Sequence, residues 1–505
     1  MKNKLKKLAV AALGVVSMAA FLNACSDEPV ANTQGLQGSA AALPIKIIGG
    51  ATECVTTNLT TQTWRDTIYI IKGDVRVPNN VTLTINAGTI VKGDKATVGT
   101  LSVERGGKLN AIGTASQPIV FTSTAVAGSR AQQDWGGVNL FGKAPNNQSV
   151  NAVPEGYPVC LTAPQHGGTV SNDNSGRLSY VRIEFGGKKT GVADVEKNGL
   201  TLYSVGSGTI LDHIQVSYGG DDAFEWFGGS VNAKYLVSYR NKDDDFDTDW
   251  GYSGAVQYGV AVRDPQVADD SKSNGFESDT DADGVNGTRT TAQFSNFTLI
   301  GPYDPANTRT VINTPGTAEF GEGLHLRRNT GLDVYNTLVV GWKRGLYLDD
   351  TPAAELVTTS ILTHNLIAQP FITGVSCVYE PVAPNNAWTL GASNVCSAAT
   401  LATSSSTDNN GLIRKSGLTS AAWTLTNPSF LPQANLAGPV PPAYTSPVLA
   451  TGTNASLINP FFDVNGTVAV SPTTYFKGAR RAADDNGWNL SGTWLNFDPQ
   501  NTPYN

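Results

Sequence analysis

The chain has 505 residues, of which 15% are charged; it holds 53 glycines, only 4 histidines, and a formal net charge of −7. That balance speaks against nucleic acid as a partner, because a phosphate backbone is held by clustered cations. Abundant glycine and sparse charge suit short strands joined by tight turns and speak against a helical bundle.

Residues 1–24 read as a lipoprotein signal peptide. Lys2, Lys4, Lys6 and Lys7 form a basic start, and the apolar run from Leu8 to Leu22 is too short to span a bilayer as a helix. The run ends in Leu22-Asn-Ala-Cys25, which matches a bacterial lipobox, in which the cysteine becomes the lipid-bearing (palmitate-type) first residue. An ordinary signal peptide with a chance cysteine is the alternative. Processing at Cys25 would remove four lysines and no acid, leaving 31 cations against 42 acids, a net of −11. Ser26-Asp-Glu28 resembles a short acidic export signal for surface lipoproteins, so the chain is expected at the outer membrane, lipid-anchored and exposed at the cell surface, with the inner leaflet of the outer membrane as the alternative. Residues 25–43 are a small, polar tether.

From residue 44 to about 370 the sequence predicts a solenoid. Thr67-Ile-Tyr-Ile-Ile71, Val81-Thr-Leu-Thr-Ile85 and Pro118-Ile-Val-Phe121 alternate as strands do, with Gly or Asn at the corners. An insertion of roughly 35 residues, Gly142 to Arg177, reads as a loop lying on the solenoid. Beyond it the coils are regular, with two strands each. Apolar anchors at Leu200, Phe224, Phe246, Phe276, Leu324 and Leu346 are 24, 22, 30, 48 and 22 residues apart. A recurring step in the low twenties, lengthened where loops intrude, is the mark of a repeat architecture. The fold class expected is therefore all-β, a right-handed parallel β-helix. Residues 371–470, rich in Ser, Thr, Ala, Asn and Pro, read as an irregular region covering the solenoid, and 471–505 as a C-terminal cap built on Trp488, Trp494 and Phe497.

With the anchors facing in, the next residues face out and form two columns. One is Thr201, Glu225, Asp247, Glu277, His325, Tyr347; the other is Tyr203, Phe227, Asp249, Asp279, Arg327, Asp349. Residues 219–285 carry 15 acids against 5 bases. Neighbouring strands lie about 4.8 Å apart, and like charges facing one another at that spacing are destabilising. Either the acids splay into water or a cation sits between them. Calcium suits hard oxygen ligands, and its expected ligands are Asp245, Asp247, Asp249, Glu277, Asp279, Asp281 and Asp283. Asp279-Thr-Asp-Ala-Asp-Gly284 begins like an EF-hand loop, but its twelfth position is Thr290, so it is not one. The four remaining cysteines allow disulfides in an exported chain. Cys377–Cys396 closes a short loop and is the first choice, which leaves Cys54–Cys160; buried free thiols are the alternative.

The Cys25 lipobox, the run Gly219-Gly-Asp-Asp-Ala-Phe-Glu-Trp-Phe-Gly-Gly229, the run Asp243 to Asp249, and the tail from Phe476-Lys-Gly-Ala479 to Phe497 carry a resemblance. They resemble a family of β-helix outer-membrane lipoproteins of Bacteroidota and leptospires. That resemblance implies a membrane-anchored protein and supplies no catalytic motif. The architecture is also similar to the pectate-lyase superfamily, a likeness of fold alone.

Two functions are open. The first is a rigid binding module that captures a glycan, peptide or cation, or sits beside a TonB-dependent transporter, with Glu225, Phe227, Tyr203 and Tyr347 on its binding face. The second is a calcium-dependent polysaccharide lyase or glycoside hydrolase, with His325 or Arg327 as base or charge clamp. His325 read as a packed residue and Arg327 as the counter-charge of Asp279 are the simpler alternatives.

Overall fold

A computed structural model describes residues 42–149, 152–189, 196–284, 287–302, 311–314, 317–349 and short stretches thereafter, chiefly 360–368 in part, 378–379, 395–397, 459–461, 479 and 494–505. Among these residues there is no helix; the strands stack as a parallel β-helix. One sheet of eleven strands runs from Thr56–Asn58 through Asp74–Val77, Thr100–Val103, Val138–Phe141, Leu200–Tyr203, Phe224–Phe227, Phe246–Asp249, Phe276–Ser278, Glu322–Arg327 and Arg344–Asp349 to Val378–Tyr379. Each strand pairs only with the coil before and the coil after, in parallel.

The register is the one that the anchor spacing predicts. Leu200 faces Phe224, Phe224 faces Phe246, Phe246 faces Phe276, Phe276 faces Leu324, and Leu324 faces Leu346. All six are buried in one continuous core. Phe224 and Phe246 stack with ring centres 5.5 Å apart, and Phe246 meets Phe276 edge-on at 5.4 Å. Such ring pairs add to the apolar area that each residue removes from water.

The rest of each coil has one more face than the two-strand reading expects. Early coils use two short strands, such as Lys108–Ile112 and Ile119–Ser123. From Gly176–Glu184 on these fuse into one strand of eight or nine residues, repeated at Ile210–Ser217, Asn232–Tyr239, Ala255–Val262 and Gln293–Ile300. Each fused strand is bent by one non-glycine residue in the left-handed region: Tyr180, His213, Tyr235, Tyr258 and Asn296. Left-handed backbone is unfavourable for residues with a Cβ. Here the side chains stack coil on coil, Tyr180 on His213 at 4.2 Å and His213 on Tyr235 at 4.4 Å, which holds the bend in place.

Three further features differ from, or refine, the expected layout. The stack continues past residue 370, since Val378–Tyr379 and Val395–Ser397 extend the two sheets. The described C-terminal residues, 494–505, lie on the flank of the coils. Trp494 packs against Tyr180 and His213, Phe497 against Tyr239, and the Tyr504 hydroxyl donates to Glu184 at 2.6 Å, so the tail lies along the flank of the central coils. Gln215 and Asn496 exchange two hydrogen bonds there, at 2.7 and 2.8 Å. The insertion does lie on the solenoid. Cys160 is disulfide-bonded to Cys54, the Tyr157 hydroxyl donates to Asp74, and the Tyr203 hydroxyl donates to the Glu155 carbonyl at 2.6 Å. Cys25, Cys377 and Trp488 fall outside the described residues, and Cys396 is described only as part of its strand.

Replacing Phe246 by Ala should destabilise the protein by about 3–5 kcal/mol, because a ring packed on all sides leaves a cavity that the stacked coils cannot close. Chemical denaturation of the variant and wild type at equal salt measures this. A loss under about 1 kcal/mol would mean that the anchor column does not carry the core.

Candidate functional site

The acidic columns meet at one corner of the coil. Asn198, Asp222, Asp244 and Asn274 each stand two residues before an anchor. Their side-chain oxygens form a ladder. Asn198 accepts the Asp222 N–H at 3.2 Å, Asp222 accepts the Asp244 N–H at 2.8 Å, Asp244 accepts the Asn274 N–H, and Asn274 accepts the Glu322 N–H at 2.8 Å. One oxygen of Asp222 and one of Asp244 are thus spent on the backbone, and the ladder fixes where the other oxygens lie.

Beside the ladder, the outward column runs Thr201, Glu225, Asp247, Glu277, His325, Tyr347 in direct register. Corner and column together enclose a cavity of about 280 Å³. Eleven acids line it: Glu155 from the insertion, Glu196, Asp221, Asp222, Glu225, Asp243, Asp244, Asp247, Asp249, Glu277 and Asp279. Among the described residues the cations that line it are Lys272, Arg327 and Arg328, and Lys189 pairs with Glu196 at 2.9 Å. The wall expected on an open face is in fact largely buried: Glu225 is 5% exposed and Asp244 4%, while Asp247 and Asp249 are half-buried.

Burial and the neighbouring carboxylates raise the pKa of Asp221, Asp222, Glu225, Asp244, Asp247 and Asp249 well above the usual carboxylate range. Burial and the nearby Asp269 push Asp243 up to about 7. One oxygen each of Asp221, Asp243 and Asp247 is buried with no hydrogen-bond partner. A buried polar oxygen left unpaired is costly. Four overlapping sets of carboxylate oxygens lie within 4.8 Å of one another: Asp221, Asp243 and Asp269; Asp222, Asp243 and Asp244; Asp222, Glu225 and Asp247; Asp244, Asp247 and Glu277. Hard oxygen donors at that separation fit a calcium-sized cation.

The far end of the cavity is neutralised internally. Arg327 pairs with Glu277 and, at 2.8 Å, with Asp279, and Arg328 reaches Asp279 at 2.8 Å. His325 bridges Glu277 at 3.1 Å and Asp349 at 3.3 Å. Burial opposes charge on His325, but Asp349 and Glu277 outweigh it and raise the imidazole to about 9. Burial also works to raise Glu277, but Arg327 and His325 hold it at about 2. His325 is therefore a cation at neutral pH, with both ring nitrogens engaged.

The structure sorts the expected site residues. Asp247, Asp249, Glu277, Asp279 and Glu225 line the cavity. Asp245 does not: it is turned into the coil, where it pairs with Arg263 at 3.1 Å and accepts from Ser238 at 2.5 Å. Asp281 and Asp283 are not among the lining residues; Asp281 instead accepts the Gly284 N–H at 2.5 Å, closing its own turn. Tyr203 and Phe227, expected on an open binding face, are buried at 2% and 1% exposure with Phe141 and Tyr157, because the insertion covers them. Tyr347 is half-buried and stacks on His325 at 5.0 Å. Residues missed in the sequence are Asp221, Asp222, Asp243, Asp244, Glu155 and Glu196. The polar residue two places before each anchor was the available signal for the ladder.

Residues 54–423 match the model of the family described as pectate-lyase-like beta helix domain, and the chain belongs to that family. No curated protein and no solved structure matches the chain. Family membership agrees with the coil architecture. It does not name a ligand, because function lies in the site and not in the fold.

A His325→Gln variant should lose a pH-dependent part of its stability. A cation whose pKa is raised by folding stabilises fully below its unfolded pKa, near 6.5, and that stabilisation is lost as pH rises through about 9. The difference in melting temperature between wild type and variant should therefore shrink from pH 6 to pH 10. A constant difference would mean that His325 is packed without carrying charge.

Proposed function

We propose that this chain is an outer-membrane lipoprotein, anchored through Cys25, whose β-helix holds calcium in the acidic cavity and uses it to capture an anionic group of a glycan or peptide. The observation that carries the reading is the set of buried carboxylate oxygens without partners, on Asp221, Asp243 and Asp247, at one cavity. Asp222, Asp243, Asp244 and Asp247 recur in the overlapping sets and would hold the ion. Asp279 is already held by two arginines and contributes charge more than coordination. Bound calcium supplies positive charge to the wall and an attachment point for an oxyanion.

A second reading is a calcium-dependent polysaccharide lyase or glycosidase, for which the family gives the fold and no catalytic group. Such chemistry needs a group free to take a proton within reach of the substrate. His325 and Arg327 are spent as partners of Glu277, Asp279 and Asp349, which favours binding over catalysis. Depolymerised uronic-acid glycan after incubation with purified protein would reverse that preference.

Calcium at a hundredfold excess over its Kd should stabilise the fold by about 2.7 kcal/mol, since it binds the folded state only. Melting curves with calcium, with chelator and with magnesium, at fixed ionic strength, measure the effect. The expected result is a calcium-selective rise that disappears in an Asp222→Asn, Asp247→Asn double variant. An equal rise with magnesium would indicate general screening. No rise would leave the carboxylates held by protons alone.

For the anchor, Cys25→Ser should release the protein into the soluble fraction. Membrane fractionation of the variant checks this, and retention at the membrane would contradict the lipobox reading.

A further inference from the structure

A second pocket, of about 440 Å³, lies over the early coils with the opposite sign of charge. It is built at the corner where three successive strands of the eleven-stranded sheet end. Asn79 follows Asp74–Val77, Glu104 and Arg105 follow Thr100–Val103, and Lys143 follows Val138–Phe141. The insertion supplies its wall from Thr162 to Gln165.

Three cations face this space, and they are not equivalent. Arg76 is fully occupied: it reaches Asp74 at 2.5 Å, Glu104 at 3.1 Å and the Thr162 carbonyl at 2.6 Å. Arg105 is held by neutral groups only, donating to the Gly167 carbonyl and the Gln165 side-chain oxygen, each at 3.1 Å. Its position is fixed, and among the described residues no carboxylate lies within 4.0 Å of its guanidinium. Lys143 is half-buried, and among the described residues its ammonium has no carboxylate within 4.0 Å. The nearby Asp173 carboxylate is occupied by the Lys143 backbone N–H at 3.0 Å. The pocket lining therefore carries three cations against one carboxylate, Glu104, which is paired with Arg76.

We infer that this pocket binds an oxyanion carried on a polar body of about sugar size, with Arg105 and Lys143 holding the charged head. Charge-assisted hydrogen bonds from two cations are the strong kind, and a guanidinium already held in place loses little freedom on binding. The volume lies within the range of small-molecule sites and exceeds what a bare oxyanion fills. Asn79 and Thr162 offer polar partners to the remainder. The pocket uses none of the acids of the calcium cavity, so the inference stands apart from the proposed function.

The test is binding of glucose 6-phosphate and of inorganic phosphate, followed by phosphorus NMR on the full mature chain in chelator, with chloride matching ionic strength. Chelator ensures that no cation in the acidic cavity carries the anion. Saturable binding is expected, with the sugar phosphate at least threefold tighter. An Arg105→Gln, Lys143→Met double variant should weaken it tenfold or more, and Lys143→Arg should keep it within threefold. Unchanged affinity in the double variant, or binding that appears only when calcium is added, would overturn the site. Equal affinity for the two phosphates would overturn the sugar-sized body.

Discussion

The parallel ladder between coils is the constraint on which everything else depends. Parallel pairing in register places each residue about 4.8 Å from its counterpart one coil on. Repetition is therefore amplified. An apolar residue at an anchor position becomes the continuous column from Leu200 to Leu346. An acid at the next position becomes a wall, because Glu225, Asp247 and Glu277 have no lateral freedom to separate. The ladder of Asn198, Asp222, Asp244 and Asn274 shows the same rule at a polar position, where each side chain satisfies the backbone of the coil above.

Repulsion alone would be tolerable in water, where the effective dielectric is high. The insertion changes this. Pinned through Cys160 to Cys54 and through Tyr157 to Asp74, it covers Tyr203 and Phe227 and places Glu155 at the cavity. Desolvation then adds to like-charge repulsion, and both act in the same direction on Asp221, Asp222 and Asp244. At the far end the fold supplies its own remedy in Arg327, Arg328 and His325. Among the described residues no cation pairs with Asp222, Asp244 or Asp247 within 4.0 Å, and that asymmetry is the ground for proposing an external cation.

Much of this was legible in the sequence, and the reason is periodicity. Anchors and columns are set by a repeat of one strand, so spacing alone gave the pairing of Phe224 with Phe246 and of Glu277 with His325. What periodicity cannot show is where a non-repeating segment lies. The insertion's path decides that Phe227 is buried, and nothing local to Phe227 encodes it. The tail is the same case: Trp494 and Phe497 read as apolar and in need of cover, but their docking on Tyr180, His213 and Tyr239 rests on a surface made by distant coils. Asp245 failed for a different reason. It sits at the corner, where strand alternation does not hold, and the interior Arg263 draws it inward. The left-handed bend at Tyr180, Tyr235 and Tyr258 was invisible because tyrosine does not favour that conformation.

We propose that the buried carboxylates exchange protons for a cation. Burial and the nearby Asp269 push Asp243 up to about 7, and burial with the neighbouring carboxylates raises Asp222 and Asp247 well above the usual carboxylate range, so protons on these groups are favoured when no cation is present. Calcium bound there would displace protons. The direct measurement is the acid released when calcium is added to the chelator-stripped protein in weakly buffered solution at pH 7, read against the calcium taken up. At least one proton per calcium bound is expected, falling toward zero when the titration is repeated in the Asp222→Asn, Asp247→Asn variant. Calcium uptake with no proton released, or no uptake at all, would contradict it.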